Sequence, residues 1–301
     1  LFLTPKARSS AISIYTFSSE NITETSGFSF EKTALKAQSI MSPIAKNLQG
    51  INARCDAAIA GRKALGIATA PVTLVAVSKT KPLADVFAAA AAGQRHFGEN
   101  YVQEAAAKIA AARQSAAGEQ PLVWHLIGPL QSNKAKLAAQ SFDWVQTIDR
   151  KKIAEHLSQH RTALGLTPLN VLVQVNVSGE ASKSGVHLDD VDTLARDVHS
   201  MPGLRLRGLM SIVENTSEEA ALRAQFQTMY RLYARLASSL TDAPIDTLSM
   251  GMSGDFEIAI REGATMVRVG SLIFGSRARV PGHDESRRSE PDHGTGSTVL
   301  A

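Results

Sequence analysis

A chain of 301 residues, 44% of them hydrophobic, can bury a full core, and because one α/β barrel commonly needs about 250 residues no second domain is required. Its 32 basic and 28 acidic residues leave a charge of +4 with no long basic block to follow a phosphate backbone, which excludes nucleic acid as the expected partner. Cys55, the sole cysteine, excludes an internal disulfide and a multi-cysteine metal site, and no apolar stretch reaches the roughly 20 residues that cross a bilayer; a cytoplasmic location without a membrane partner is expected.

Leu1 to Ile40 is rich in Ser and Thr and lacks sustained periodicity, while Glu20, Glu24 and Glu31 argue against an organellar presequence. Residues 1–41 are expected to be a disordered or non-native extension. Ser42 as N-cap and Pro43 at the first helical position then open a helix, with Ile44, Leu48, Ile51, Cys55 and Ile59 at helical spacing. Eight strand candidates follow: Val72 to Ser78, Arg95 to Gly98, Val123 to Ile127, Trp144 to Ile148, Val171 to Val177, Leu204 to Ser211, Thr247 to Met250 and Met266 to Val269. Helical patterns separate them at Leu83 to Ala92, Val102 to Ala112, Ile153 to Ala163, Val191 to His199, Glu218 to Ser238 and Phe256 to Glu262. Repeated β/α units of this length predict a single closed (β/α)8 TIM-type barrel over residues 42–278, preceded by an extra helix. Residues 279–301 mix Pro, Gly, Ser and balanced charge and read as a disordered tail.

In such a barrel the C-terminal strand ends share one mouth, where ligands bind. The apolar run Val72-Thr73-Leu74-Val75-Ala76-Val77-Ser78 delivers the amine of Lys79 there, which can form an imine with an aldehyde or simply surface into water. Gly251, Gly254 and Gly270, with the hydroxyls of Ser253 and Ser271 and a helix starting near Asp255, suggest a phosphate site; an ordinary turn capped by Ser253 or Asp255 is the alternative. Arg268 lies within the apolar strand Met266-Val267-Arg268-Val269 and needs a partner, either a core carboxylate or a ligand atom. His125 is left open between a ligand contact and a hydrogen-bonded core histidine.

Other constellations fail. Gly128-Pro129-Leu130-Gln131-Ser132-Asn133-Lys134 lacks the second Gly and the final Ser/Thr of a phosphate loop, and His156 and His160 lack the intervening Glu of a zinc-protease helix. Gly251-Met252-Ser253-Gly254 is one residue short of a nucleophile elbow. No metal site is expected.

The assembled segments resemble the pyridoxal phosphate homeostasis protein family, single-domain relatives of the alanine racemase N-terminal barrel. The likeness runs through Val75-Ala76-Val77-Ser78-Lys79, His96-Phe97-Gly98-Glu99-Asn100-Tyr101-Val102-Gln103-Glu104, Trp124-His125-Leu126-Ile127-Gly128-Pro129, Gly208-Leu209-Met210-Ser211, Leu248-Ser249-Met250-Gly251-Met252-Ser253 and Val267-Arg268-Val269-Gly270-Ser271. The resemblance implies that Lys79 carries pyridoxal 5'-phosphate as a Schiff base, with Asn100 near the ring and Arg268 at the pyridine nitrogen. Ser253, Gly270 and Ser271 would hold the phosphate, Ser271 standing where relatives usually have Thr. Lys81, two residues on, would oppose a second positive charge at Lys79. Arg268 can only donate, so the ring nitrogen facing it would stay unprotonated and carbanion chemistry would be disfavoured.

The implied function is pyridoxal phosphate homeostasis and amino-acid balance without established catalysis. Its implied partners are the cofactor, amino acids and transient pyridoxal phosphate-dependent apoenzymes, and its implied state is a monomer. An amino-acid racemase is the alternative, but two-base racemisation needs a second acid/base group, and Tyr15, Tyr101, Tyr230 and Tyr233 all precede the eighth strand. A phosphosugar-binding barrel enzyme would keep the phosphate site and leave Lys79 unmodified.

Overall fold

The structure is a computed structural model that describes residues 41–62, 71–115, 121–180, 183–213 and 218–275. The readings of residues 1–40 and 279–301 lie outside the described residues. Eight strands form a closed barrel in chain order: β1 (Thr73–Val77), β2 (His96–Glu99), β3 (Val123–Leu126), β4 (Trp144–Ile148), β5 (Leu169–Val175), β6 (Leu204–Ser211), β7 (Thr247–Ser249) and β8 (Met266–Val269). All pairings are parallel, and β8 closes on β1 with Thr73 opposite Met266 and Val75 opposite Arg268. Closure leaves no strand edge open to another chain.

The helices are α1 (Pro43–Arg62), α2 (Leu83–Ala91), α3 (Val102–Ser115), α4 (Ala135–Ser141), α5 (Lys151–Ala163), α6 (Val191–His199), α7 (Glu219–Ser239), α8 (Phe256–Arg261) and α9 (Ser271–Phe274). None of the described helices is long and apolar enough to cross a membrane.

Two apolar clusters explain why the strands read as continuous hydrophobic runs. Alternate residues such as Leu74, Ala76, Phe97 and Trp124 pack outward against the helices, whereas Val75, Trp144, Leu172, Met210 and Met266 fill the barrel itself. The alanine-rich helices bring small side chains to this wall: Ala89 and Ala90 of α2, and Ala135, Ala138 and Ala139 of α4, are all buried. Helix α4 was not among the sequence expectations. Leu137 is the one large apolar side chain among its seven residues, too weak a pattern to stand out. Strand β5 starts at Leu169, two residues before the expected Val171, because Asn170 extends the ladder while its side chain bonds Arg207 (3.0 Å).

Helix α1 begins where its cap predicts, with Ser42 Oγ accepting from the Ala45 N–H at 3.2 Å. It packs beside α8 and α2, filling the place that four-residue α9 is too short to cover after β8. The fully buried Arg62 ends α1, its guanidinium donating to the carbonyls of Ile260 (2.6 Å) and Ala264. It thereby satisfies the Ala264 carbonyl just past α8 and gives Ile260 O a second donor beside the Gly263 N–H (3.0 Å). Arg62→Met keeps most of the packing stem but takes the donor from the Ala264 carbonyl, and it should cost about 2 kcal/mol of stability in urea unfolding. A cost below about 1 kcal/mol would contradict this tie.

Candidate functional site

At the C-terminal mouth of the barrel, strand ends surround a cavity of about 460 Å³. Lys79, Asn100, Ser253, Arg268, Gly270 and Ser271, the six residues singled out in the sequence, all line it. Val77, Ile127, Ile212 and Met252 give it apolar walls, which no sequence motif announced.

Lys79 stands two residues beyond β1, inside a tight turn. The Ser78 N–H donates to Gly98 O (2.9 Å) and the Lys81 N–H to Ser78 O (3.0 Å). Thr80 adopts φ 63°, a left-handed conformation that costs a β-branched residue about 1–3 kcal/mol. Its N–H donates to Glu104 Oε1 at 3.1 Å, so α3 helps to hold the strained turn. Lys81 also lines the cavity, its Nζ donating to Phe274 O at 2.9 Å.

Beneath the turn lies a buried charge cluster. Lys108 Nζ is 2.8 Å from Glu99 Oε1, 3.0 Å from Ser78 O and 3.6 Å from Glu104 Oε1, while Ser78 Oγ donates to Glu99 Oε1 at 2.7 Å. Glu99 is wholly buried and its second carboxylate oxygen has no hydrogen-bond partner among the described residues. Burial pushes its pKa up, and the bonds from Lys108 and Ser78 only partly oppose that. Lys108 was not singled out in the sequence, although Glu104-x-x-x-Lys108 on a helix is a readable ion pair.

Asn100 reaches the cavity because the loops after β2 and β3 touch. A Cβ at Gly128 would lie 2.2 Å from Asn100 O, so only glycine permits this approach. On the far side, Ser253 Oγ accepts from the Gly270 N–H at 3.3 Å, joining the loops after β7 and β8. Gly251 has φ 94°, and a Cβ there would lie 2.6 Å from that of Ala259, so the β7 loop sits tightly on α8. Asp255 occupies the N-cap position of α8, but its carboxylate instead accepts from the Met252 N–H. Gly270 precedes the short helix α9, and loops after strands seven and eight with such a helix form a recurrent anion site in barrels.

Arg268 is 4% exposed, and its side-chain bonds go to a hydroxyl and a carbonyl: Nη1 to Ser249 Oγ (2.7 Å) and Nη2 to Ser211 O (2.8 Å). Desolvation lowers its pKa to about 10, opposed by the charge of Asp255, so the guanidinium remains protonated at neutral pH. His125 takes the core option, fully buried between Gln146 and His96 and absent from the cavity lining. His156 and His160 stack along α5 at 6.5 Å, and no cluster of metal-ligating side chains occurs among the described residues. No described tyrosine lines the cavity.

Comparison with known proteins places this geometry. The family model for the alanine racemase N-terminal domain matches residues 62–278. The pyridoxal phosphate homeostasis protein of Pseudomonas aeruginosa is 53% identical over 239 residues, covering 79% of this chain and 97% of the relative. The chain belongs to the pyridoxal phosphate homeostasis protein family, within the alanine racemase N-terminal domain family. PipY of Synechococcus elongatus, a solved structure without pyridoxal phosphate, has 36% identity and a TM-score of 0.68, with coverage of 77% of this chain and all of that one. A second PipY structure holds bound pyridoxal phosphate, with 34% identity, a TM-score of 0.65 and coverage of 77% and 100%.

For this member of the pyridoxal phosphate homeostasis protein family, the cluster under Lys79 gives two expectations. Lys108→Met strips Glu99 of its cation and should destabilise by about 3 kcal/mol, most of it recovered when Glu99→Gln is added. Because the Glu99 pKa is raised in the fold, its favourable contribution is full below the ordinary carboxylate value and is lost as pH rises through the raised one. The stability difference should therefore shift toward Glu99→Gln as pH rises above the ordinary carboxylate range in urea unfolding; a flat difference would contradict the buried, desolvated carboxylate.

Proposed function

We propose that this chain binds pyridoxal 5'-phosphate at the barrel mouth and serves its homeostasis, holding the cofactor more than using it. The observation that carries this reading is one cavity bringing together a primary amine, a buried guanidinium, apolar walls and a Gly/Ser-rich anion cradle. That donor set fits the group: an amine for its aldehyde, flat apolar surfaces for its ring, donors for its ring nitrogen and phosphate. When bound, the cofactor supplies an electrophilic aldehyde carbon and a conjugated ring.

Lys79 presents the amine that bonds that carbon, and its turn fixes the direction of approach. Ser253, Gly270 and Ser271 hold the phosphate, with Asn100 beside the ring. Arg268 donates to the ring nitrogen and keeps its own protons, so the ring is left a weaker electron sink. Two-base racemisation of a bound amino acid also calls for an acid/base group on each face, and no described tyrosine lines the cavity. The same reading takes amino acids as secondary ligands, apoenzymes as transient recipients, a cytoplasmic setting and a monomeric state.

Borohydride reduction of the cofactor-loaded protein followed by peptide mass mapping tests the assignment. A pyridoxyl group should appear on the peptide carrying Lys79 and vanish in Lys79→Ala. Reduction with no adduct at Lys79 would overturn the proposal. Single-enantiomer alanine in deuterated water should keep its configuration on incubation with the loaded protein, whereas rapid α-proton exchange would restore the racemase.

A further inference from the structure

A line of polar side chains crosses the barrel interior, from the mouth toward the opposite end. Arg268 Nη1 donates to Ser249 Oγ (2.7 Å), and Ser249 Oγ donates to Gln146 Oε1 (2.7 Å). Gln146 Nε2 faces His125 Nδ1 (3.0 Å), and His125 Nε2 faces His96 Nδ1 (3.0 Å). Ser249, Gln146 and His125 are wholly buried, while His96 is half-buried at the start of β2. These residues come from β8, β7, β4, β3 and β2, so only barrel closure assembles them.

The direction of the line follows from the hydrogen inventory once the Gln146 amide is oriented with its oxygen toward Ser249 and its nitrogen toward His125. A guanidinium has donors and no acceptor, so Ser249 must accept from it and turn its own hydrogen to Gln146. The Gln146 carbonyl is then committed to Ser249 and its amide nitrogen to His125, with the Met266 sulfur also 3.2 Å from that nitrogen. His125 must accept at Nδ1, which places its proton on Nε2 and makes His96 Nδ1 the next acceptor. Burial lowers both imidazole pKa values, His125 far below its ordinary value, in keeping with two neutral rings. Stacking on Trp144, with ring centroids 5.3 Å apart, holds the His125 plane.

A core of this volume could be filled with apolar side chains at lower desolvation cost, so such a line calls for a reason. Resting on the pyridoxal phosphate reading above, we propose that Ser249, Gln146 and His125 are positioning residues forming a one-directional relay that fixes the Arg268 guanidinium as donor to the cofactor ring nitrogen. Ser249 supplies the acceptor that Nη1 needs, Gln146 holds that hydroxyl's hydrogen away from the guanidinium, and His125 holds the amide against flipping. His96 is the outer end of the relay.

The test uses the full chain with two relay-breaking variants, Ser249→Ala and Gln146→Met, and one conservative variant, Ser249→Thr. Histidine-selective ¹⁵N NMR of the cofactor-free protein should show His125 as the Nε2–H tautomer. With pyridoxal phosphate added, both breaking variants should still yield the borohydride-trapped Lys79 adduct. Their visible absorption band should be displaced and their cofactor affinity reduced about tenfold, roughly the loss of one buried hydrogen bond. Ser249→Thr should return the band to its original position. An Nδ1–H tautomer at His125, or an adduct formed with band and affinity unmoved in both breaking variants, would overturn the relay alone. Absence of the Lys79 adduct in the unmutated protein would overturn the cofactor reading and this role with it.

Discussion

A guanidinium buried inside a closed barrel is the constraint on which the rest of this structure depends. Arg268 is nearly inaccessible, and an unsatisfied charge there would cost more than a domain's usual margin of stability. Its bonds to Ser249 and Ser211 draw hydroxyl and carbonyl groups of two neighbouring strands toward one point. The register matters equally. Because Val75 pairs with Arg268, Lys79 emerges a few residues further along the adjacent strand, at the same mouth. Amine and guanidinium are thus brought together by strand pairing, with no need for a second domain.

The mouth is built for rigidity on the lysine side and close backbone approach on the opposite side. Thr80 in a left-handed conformation stores strain that the Glu99, Glu104 and Lys108 cluster holds in place. Across the cavity, Gly251 lets the loop after β7 sit on α8 at a distance that a side chain would forbid. This division suits a protein that must present one amine reproducibly while cradling an anion with backbone. On the proposed reading, Arg268 as an obligate donor would favour retention of a cofactor over activation of its ring.

Much of this was legible in the chain. All eight strands were readable because parallel strands covered on both faces are continuous apolar runs, and errors stayed at their ends, as where Asn170 interrupts the run of β5. Lys79, Arg268 and the Gly/Ser loops stood out as polar or flexible residues at strand ends. What could not be read depends on closure: Ser249, Gln146 and His125 lie on different strands, and nothing local in Trp124-His125-Leu126 says that its imidazole faces an amide 21 residues away. Helix α4 escaped notice for a different reason, since small side chains pack well without producing a strong amphipathic period. The role of Lys108 was equally hidden, because a helical Glu/Lys pair usually faces solvent and here reaches under the Lys79 turn.

The functional proposal stands on pyridoxal phosphate being held in one cavity between Lys79 and Arg268. A crystal structure of the cofactor-loaded protein tests it most directly. Continuous density should run from Lys79 Nζ into the cofactor, with the ring nitrogen about 3 Å from the Arg268 guanidinium and the phosphate against Ser253, Gly270 and Ser271. Cofactor density detached from Lys79, or a ring nitrogen turned toward any group other than Arg268, would contradict it.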